Sequence, residues 1–191
     1  MTTLPRLLVV SDGSQVPPGR TLRTTLLACL DGGATHVVLR ELDQAVHARA
    51  ELAAALADAG AVVVAAHTAV PGAIGVQLPA GAARGRGWFG RSCHSAAEVV
   101  AAGARGAAYV TLSPFAPSAS KPGRRPLPRA QFAAVRDSRT PVFALGGIDA
   151  SNAAAAIEAG AYGIAVMGAL MRAPDPAAVT ALLLTAVGAA R

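Results

Sequence analysis

Two glycine-containing segments late in the sequence have the pattern of a phosphate-binding site. Gly146 and Gly147 directly follow one short apolar run, and Met167 and Gly168 directly follow a later one. Backbone N–H groups exposed at such glycines can hold a phosphate dianion. A tight turn leading into a helix is the alternative explanation for the first pair. The phosphate interpretation therefore depends on where the fold places the two segments.

Three side chains could move a proton. Glu41 follows an apolar run and stands beside Arg40, so it could act as a general base or hold the arginine in place. His67 follows an apolar run and His94 lies just past the segment 88–91, and histidine exchanges protons near neutral pH. For His94, hydrogen bonding within a loop is the alternative, and for the Arg40–Glu41 pair it is a surface ion pair.

Two cations could bind an anionic substrate. Arg40 can place two N–H groups on a phosphate or carboxylate. Lys121 is the only lysine among 17 basic residues and lies in the Ser/Pro/Gly-rich segment 113–123. A flexible charge in such a segment suits a loop that closes on an anion, although a solvated loop has the same composition.

Short β-branched runs alternate with alanine-rich stretches along the whole chain, which predicts parallel strands joined by helices. An open doubly wound sheet is the alternative, but no Gly-x-Gly-x-x-Gly turn follows the first strand. We therefore predict an α/β fold, a single compact (β/α)8 TIM barrel, as one domain over residues 1–191. The predicted strands are 7–11, 36–40, 62–65, 75–78, 88–91, 109–112, 142–145 and 163–166. The predicted helices are 20–30, 44–59, 96–102, 129–137, 150–159 and 175–190.

In such barrels the active site lies at the carboxyl ends of the strands. This rule brings the residues above to one end of the barrel and adds further polar residues that end or follow strands. The expected additional substrate-binding residues are Gln77, Ser92 and Ser113.

Composition narrows the classes of partner. The formal net charge is +6, but the basic residues are scattered without aromatic residues between them, so we expect no nucleic acid. We expect no membrane association, because no apolar run reaches about 18 residues, and a cytoplasmic location. The two cysteines have no zinc spacing, and we predict buried free thiols and no metal site. The alanine-rich outer helices would permit a homodimer.

The ordered set of segments resembles the thiamine phosphate synthase/TenI superfamily of small (β/α)8 barrels. The resemblance implies a small phosphorylated thiazole, or a related phosphate ester, as ligand. It places the phosphate on Gly146, Gly147, Met167 and Gly168, with Arg40, Ser92 and Lys121 facing the rest of the ligand. The segments that carry it are 33–41, 75–79, 90–95, 113–123, 144–148 and 160–169.

This sequence departs from the family pattern at positions that distinguish the synthases of the family from its tautomerases. Synthases, which join an aminopyrimidine diphosphate to the thiazole phosphate with magnesium, carry lysine at the position of Leu42. They also carry Asn-Asp-Arg at 65–67 and an aspartate soon after strand four, where 79–82 has no carboxylate. Magnesium prefers carboxylate oxygens, so our first hypothesis is a metal-independent TenI-like thiazole tautomerase without cofactor.

Two alternatives remain open. One is a divergent thiamine phosphate synthase, which would require Mg²⁺ as cofactor. The other is a non-catalytic phosphate-ligand-binding or regulatory protein. The tautomerase branch carries its catalytic histidine after strand six, where this sequence has Pro114, so Glu41, His67 or His94 would have to replace it.

Overall fold

The chain forms a closed barrel of eight parallel strands. A computed structural model describes residues 4–83, 87–118, 120 and 122–190. Each strand pairs with the next in sequence, and β8 closes the barrel by pairing with β1. The predicted (β/α)8 TIM barrel is thus confirmed. The strands are β1 (Leu7–Val10), β2 (His36–Leu39), β3 (Val62–Ala66), β4 (Gly75–Leu78), β5 (Phe89–Cys93), β6 (Tyr109–Leu112), β7 (Val142–Leu145) and β8 (Gly163–Val166).

Seven helices lie among the described residues, one more than predicted. The additional helix is α6, a single turn that directly follows β8, and α4 is shorter than the predicted segment 129–137. A 3-10 turn, Gly13–Gln15, follows β1. The helices are α1 (Leu22–Asp31), α2 (Val46–Asp58), α3 (Ala96–Ala104), α4 (Arg129–Ala133), α5 (Ala153–Glu158), α6 (Gly168–Met171) and α7 (Pro176–Ala189). None of them is long and apolar enough to cross a membrane.

Side-chain caps fix where several helices begin. The Thr21 hydroxyl accepts a hydrogen bond from the N–H of Thr24 at the start of α1. Ser95 caps α3 in the same way, and the Asp175 carboxylate caps α7. Each cap satisfies an N–H group that the first helical turn leaves without an internal partner.

The strands alternate between two apolar layers. Along β1, Leu8 and Val10 belong to the cluster inside the barrel, whereas Leu7 and Val9 belong to the cluster between barrel and helices. This follows from the two-residue period of a strand. Both faces of β1 are buried, which explains why this strand is apolar without interruption.

Large side chains fill one end of the barrel and leave the other open. The Tyr109 ring lies 5.4 Å from the Trp88 ring and 5.6 Å from the Phe143 ring. Trp88 and Tyr109 stand where β5 and β6 begin, so this aromatic cluster occupies the amino-terminal end. Near the carboxyl end the interior residues Ala66 and Ala165 are small. The sequence thus leaves space for a cavity where the strands end.

Both cysteines are buried and free, as predicted. Burial raises the pKa of the Cys29 thiol to about 11 and that of Cys93 to about 12. Thiols with such pKa values are neutral at physiological pH and behave as apolar packing groups.

Buried His36 is expected to make stability depend on pH. Its Nδ1 atom lies 2.9 Å from Thr35 Oγ1, its Nε2 atom has no described hydrogen-bond partner, and burial lowers its pKa. The unfolded chain therefore binds the proton more readily, and stability is lost as pH falls below the unfolded pKa of about 6.5.

The measurement is the difference between the urea unfolding free energies at pH 7 and pH 5. His36→Leu should reduce this difference, whereas His47→Leu, at an exposed position of α2, should leave it unchanged. An undiminished difference in His36→Leu would contradict the assignment.

Candidate active site

A cavity of about 770 Å³ opens at the carboxyl ends of the strands, and we call this end of the barrel the mouth. Of the predicted site residues that the structure describes, all except Glu41 line it. Lys121 lies outside the described residues. The predicted residues brought together are Arg40, His67, Gln77, Ser92, His94, Ser113, Gly146, Gly147, Met167 and Gly168.

The two glycine segments form one side of the mouth. Gly146 and Gly147 have φ values of +96° and +65°, which turn the backbone sharply after β7. The N–H groups of Gly147 and Gly168 donate to no group among the described residues. We call Gly146, Gly147, Met167 and Gly168 together the cup. Free amides in this position can bind an anionic oxygen.

The segment after β6 covers the cup closely. The Phe115 N–H donates to the Leu145 carbonyl, and the Ala116 N–H donates to the Gly146 carbonyl, each at 2.9 Å. A Cβ atom at Gly147 would lie only 2.7 Å from the backbone C and O atoms of Ala116. Only glycine allows this approach, so the cup depends on Gly147 for both its φ value and its cover.

Arg172 lies beside the cup and is a site residue that sequence reasoning missed. Its side chain lies over Gly168, where an added Cβ atom would be 2.5 Å from Arg172 Nη1. The same guanidinium donates to Gln15 Oε1. The sequence spacing could have indicated this contact, because Arg172 follows Gly168 by four residues and one helical turn brings such positions together. It was not recognised because α6 was not predicted.

A polar network runs along the rim from the cup to β2. Gln15 Nε2 donates to Asp12 Oδ2 at 2.7 Å, Ser14 Oγ donates to Asp12 Oδ1 at 2.6 Å, and Arg40 Nη2 lies 3.4 Å from Oδ2. Burial would raise the Asp12 pKa, but the hydrogen bonds from Ser14 and Gln15 and the charge of Arg40 together lower it. Asp12 therefore stays ionised and holds the Arg40 guanidinium at the rim.

The floor of the cavity is a buried polar group. Gln77 Nε2 donates to Ser92 Oγ at 3.1 Å and lies 3.4 Å from Thr111 Oγ1. Gln77 Oε1 is buried and has no described partner. A buried carbonyl of this kind costs free energy unless it is paired, and this one packs against Gly90 inside the barrel.

The two histidines at the mouth have different surroundings. His94 Nδ1 lies 3.0 Å from the Ser113 carbonyl and 3.2 Å from its Oγ. Because a carbonyl only accepts, Nδ1 carries the proton in this contact, which leaves the Nε2 lone pair available. His67 is exposed and has a φ of +64°. Such backbone strain in a residue other than glycine concentrates at functional sites.

Glu41 occupies a different position from the one its predicted role as catalytic base requires. It is buried, does not line the cavity, and accepts hydrogen bonds from Ser11 Oγ at 2.7 Å and from the Gly13 N–H at 3.0 Å. The Ser11 hydroxyl also accepts from the Arg40 N–H at 2.8 Å. Glu41 therefore ties the turn after β1 to the end of β2 and positions the rim.

Glu41→Gln is accordingly expected to lower stability. Each oxygen of the Glu41 carboxylate accepts one hydrogen bond. Glutamine replaces one of these oxygens with an NH2 group, which would face either the Ser11 hydroxyl or the Gly13 N–H and cannot accept the hydrogen bond, at a cost of about 1–3 kcal/mol. Urea unfolding measures this loss, and Glu51→Gln, on the exposed side of α2, is the matched control. Unchanged stability together with complete loss of turnover would restore Glu41 as a base.

A family model described as thiamine monophosphate synthase matches residues 7–170. The chain belongs to this family. A candidate thiamine-phosphate synthase of Geobacter sulfurreducens is 36% identical over 194 residues, covering 89% of this chain and 88% of that protein. The superfamily resemblance inferred from the sequence is thus confirmed.

Other similarities concern part of the relatives or the fold alone. A thiamine-phosphate synthase of Geobacillus kaustophilus is 40% identical over 109 residues, which are 54% of this chain and 48% of that protein. The matched part of this chain therefore spans about half of that relative. A solved thiamine phosphate pyrophosphorylase from Pyrococcus furiosus has a TM-score of 0.83 and 24% identity, covering 97% and 96% of the two chains. That likeness shows the fold.

The magnesium that synthases of this family use does not fit the donors at the mouth. Asp12 and Asp149 are the carboxylates among the described lining residues. Asp12 is already held by Ser14, Gln15 and Arg40, and Asp149 Oδ1 accepts from the N–H and Oγ of Ser151. Within the described ranges, no three His, Cys, Asp or Glu side chains are grouped to hold a metal ion.

Proposed function

We propose that this protein joins an aminopyrimidine diphosphate to a thiazole phosphate, the thiamine-phosphate synthase reaction. The observation that carries the proposal is one cavity that combines the cup with three arginines, Arg40, Arg124 and Arg172. A reaction between a phosphate ester and a diphosphate ester needs cationic groups for both. The similarity to thiamine-phosphate synthases favours this reaction over the tautomerase that the sequence analysis put first.

The chemistry requires charge neutralisation more than proton transfer. The carbon–oxygen bond to the diphosphate breaks, and the diphosphate leaves with the electron pair. The lone pair of the thiazole nitrogen then forms the new carbon–nitrogen bond, so no proton has to move. The position of Glu41 outside the cavity is compatible with this reaction.

Each group of the mouth has a role in this proposal. The cup and Arg172 hold the thiazole phosphate, because amides and a guanidinium bind phosphate oxygens. Arg40 and Arg124 neutralise the leaving diphosphate. Gln77, which is held by Ser92, forms the floor against which the pyrimidine lies. The carboxylates at the mouth are not arranged to bind a magnesium ion. The arginines therefore supply the positive charge that such an ion would have provided.

The experiment incubates the protein with both substrates and quantifies thiamine phosphate and diphosphate by chromatography. We expect turnover to persist when magnesium is chelated and to fall at least roughly tenfold in Arg40→Ala, since a hydrogen bond to a charged group contributes about 1.5–3 kcal/mol. Arg105→Ala, an exposed arginine outside the cavity, is the control. Absence of thiamine phosphate with and without magnesium would reject the proposal.

His94 favours one second candidate, the thiazole tautomerase. Its Nε2 lone pair is available at the mouth because Nδ1 bonds to Ser113. In this reaction His94 would take a proton from an sp3 carbon of the non-aromatic ring of a thiazole carboxylate phosphate tautomer, and a proton would return to the exocyclic side-chain carbon, which makes the ring aromatic. NMR would detect exchange of that proton with deuterated solvent, and His94→Gln should abolish the exchange. A wild-type protein that produces no exchange would exclude this activity.

A further inference from the structure

A second cavity, of about 620 Å³, lies at the opposite end of the barrel from the mouth. Arg6 directly precedes β1, Pro141 directly precedes β7, and Tyr162 directly precedes β8. All three line the cavity. It therefore opens where these strands begin, and we call it the far cavity. Among the residues that the structure describes, none lines both this cavity and the mouth.

The far cavity is basic. Arg6, Arg136 and Arg139 line it, and Glu158 is the carboxylate among its described lining residues, so three positive charges and one negative charge give a formal charge of +2. Glu158 forms no ion pair with any of these arginines. The excess positive charge is thus not neutralised by the part of the chain that the structure describes.

Two of the arginines are held in place. The Arg6 guanidinium lies 4.9 Å from the centre of the Tyr162 ring, and the Tyr162 hydroxyl donates to the Leu4 carbonyl at 2.8 Å. Arg136 Nη2 donates to the Glu158 carbonyl at 2.6 Å, which uses part of its donor fork. A positioned guanidinium loses less conformational entropy when it binds an anion.

The backbone is also shaped to form this cavity. Gly160 has a φ of +121°, and an added Cβ atom would lie 2.7 Å from the Phe132 carbonyl oxygen and 3.2 Å from Arg136 Cβ. Glycine therefore lets the turn before β8 lie directly against the end of α4. This contact places Arg136 beside the start of β8.

We propose that the far cavity binds a small phosphorylated metabolite carrying a diphosphate group. Guanidinium groups match phosphate oxygens in geometry, and a diphosphate supplies enough negative charge for three arginines. A monocarboxylate would leave half of the formal charge of +2 without a counter-charge. The volume lies within the range of about 300–1,000 Å³ that is typical of small-molecule sites. This binding is independent of the reaction at the mouth.

The experiment uses inorganic diphosphate without magnesium on the full chain carrying Arg40→Ala and Arg172→Ala, which weaken anion binding at the mouth. NMR should show saturable shifts of the Ser138 and Tyr162 amides, with one diphosphate bound per chain. Adding Arg139→Ala or, separately, Arg136→Ala should weaken this binding at least roughly tenfold. Arg23→Ala, an exposed arginine that lines neither cavity, should not change it.

Three outcomes would overturn the proposal. The first is the absence of shifts at Ser138 and Tyr162 in the chain with the two mouth substitutions. The second is the same shifts with sodium chloride at equal ionic strength, which would indicate general screening. The third is unchanged affinity in both Arg139→Ala and Arg136→Ala. Because the mouth is already weakened, none of these results depends on the proposed synthase reaction.

Discussion

Replacing Gly147 by alanine is expected to weaken binding of a thiazole phosphate by roughly a hundredfold, which corresponds to about 2.8 kcal/mol. Two physical effects add up. The φ of +65° is strained for alanine, at a cost of about 1–3 kcal/mol. The new methyl group would also meet the Ala116 backbone at 2.7 Å and push the covering segment away from the cup.

Calorimetric titration measures this loss, and circular dichroism verifies that the variant is folded. Gly188→Ala is a matched control, because Gly188 lies in α7, is exposed, and has no atom within 4 Å of an added Cβ. It should leave binding unchanged and add up to about 1 kcal/mol of helix stability. If folded Gly147→Ala binds the phosphate as tightly as the wild type, the cup is not the phosphate site.

The strands were predictable because several local signals agree. Most strands contain β-branched or other apolar residues, although β5 has no β-branched residue, and Gly33 and Gly160 stand at positive φ between a helix and the strand that follows it. Because glycine tolerates this backbone conformation, it marks the boundary between a helix and the next strand in the sequence itself. The predicted and observed ends of β5 differ by one residue at the start and two at the end, and the bounds of β4, β6, β7 and β8 agree.

The role of Glu41 could not be predicted because its partners come from the turn that follows another strand. Ser11 and Gly13 are 30 and 28 residues away, and the pairing of β1 with β2 brings them together. Neighbouring Arg40 lines the cavity whereas Glu41 is buried behind it. A strand directs successive side chains to opposite faces. The residue at which β2 ends, and with it the direction of the Glu41 side chain, could not be determined from the sequence.

The polar floor illustrates a second limit. Gln77 and Ser92 follow from the rule that places function near the carboxyl ends of strands, whereas Thr111 was not among the predicted residues. Their mutual hydrogen bonds depend on the register of β4, β5 and β6, in which Gln77 pairs with Gly90 and Ser92 with Thr111. Gly90 has no side chain, and an added Cβ would collide with the Tyr109 ring. Such close packing inside a barrel is a tertiary property.

Arg172→Ala is expected to raise the KM for the thiazole phosphate by roughly ten- to a hundredfold, with a smaller effect on kcat. The guanidinium lies over Gly168 at the cup, and a hydrogen bond to a charged group contributes about 1.5–3 kcal/mol. Because it acts on the bound phosphate and not on the bond that breaks, most of the loss should appear as weaker binding. Steady-state kinetics with each substrate varied in turn separates the two effects.

Two further variants distinguish charge from position. Arg172→Lys keeps one positive charge but loses the planar fork, so it should recover part of the affinity. Gln15→Ala removes the contact that links Arg172 to Asp12 while keeping the guanidinium. If Gln15→Ala alone raises KM as much as Arg172→Ala, the arginine acts mainly by holding the rim network together. If Arg172→Ala leaves KM for the thiazole phosphate unchanged, the phosphate is held by the backbone amides alone.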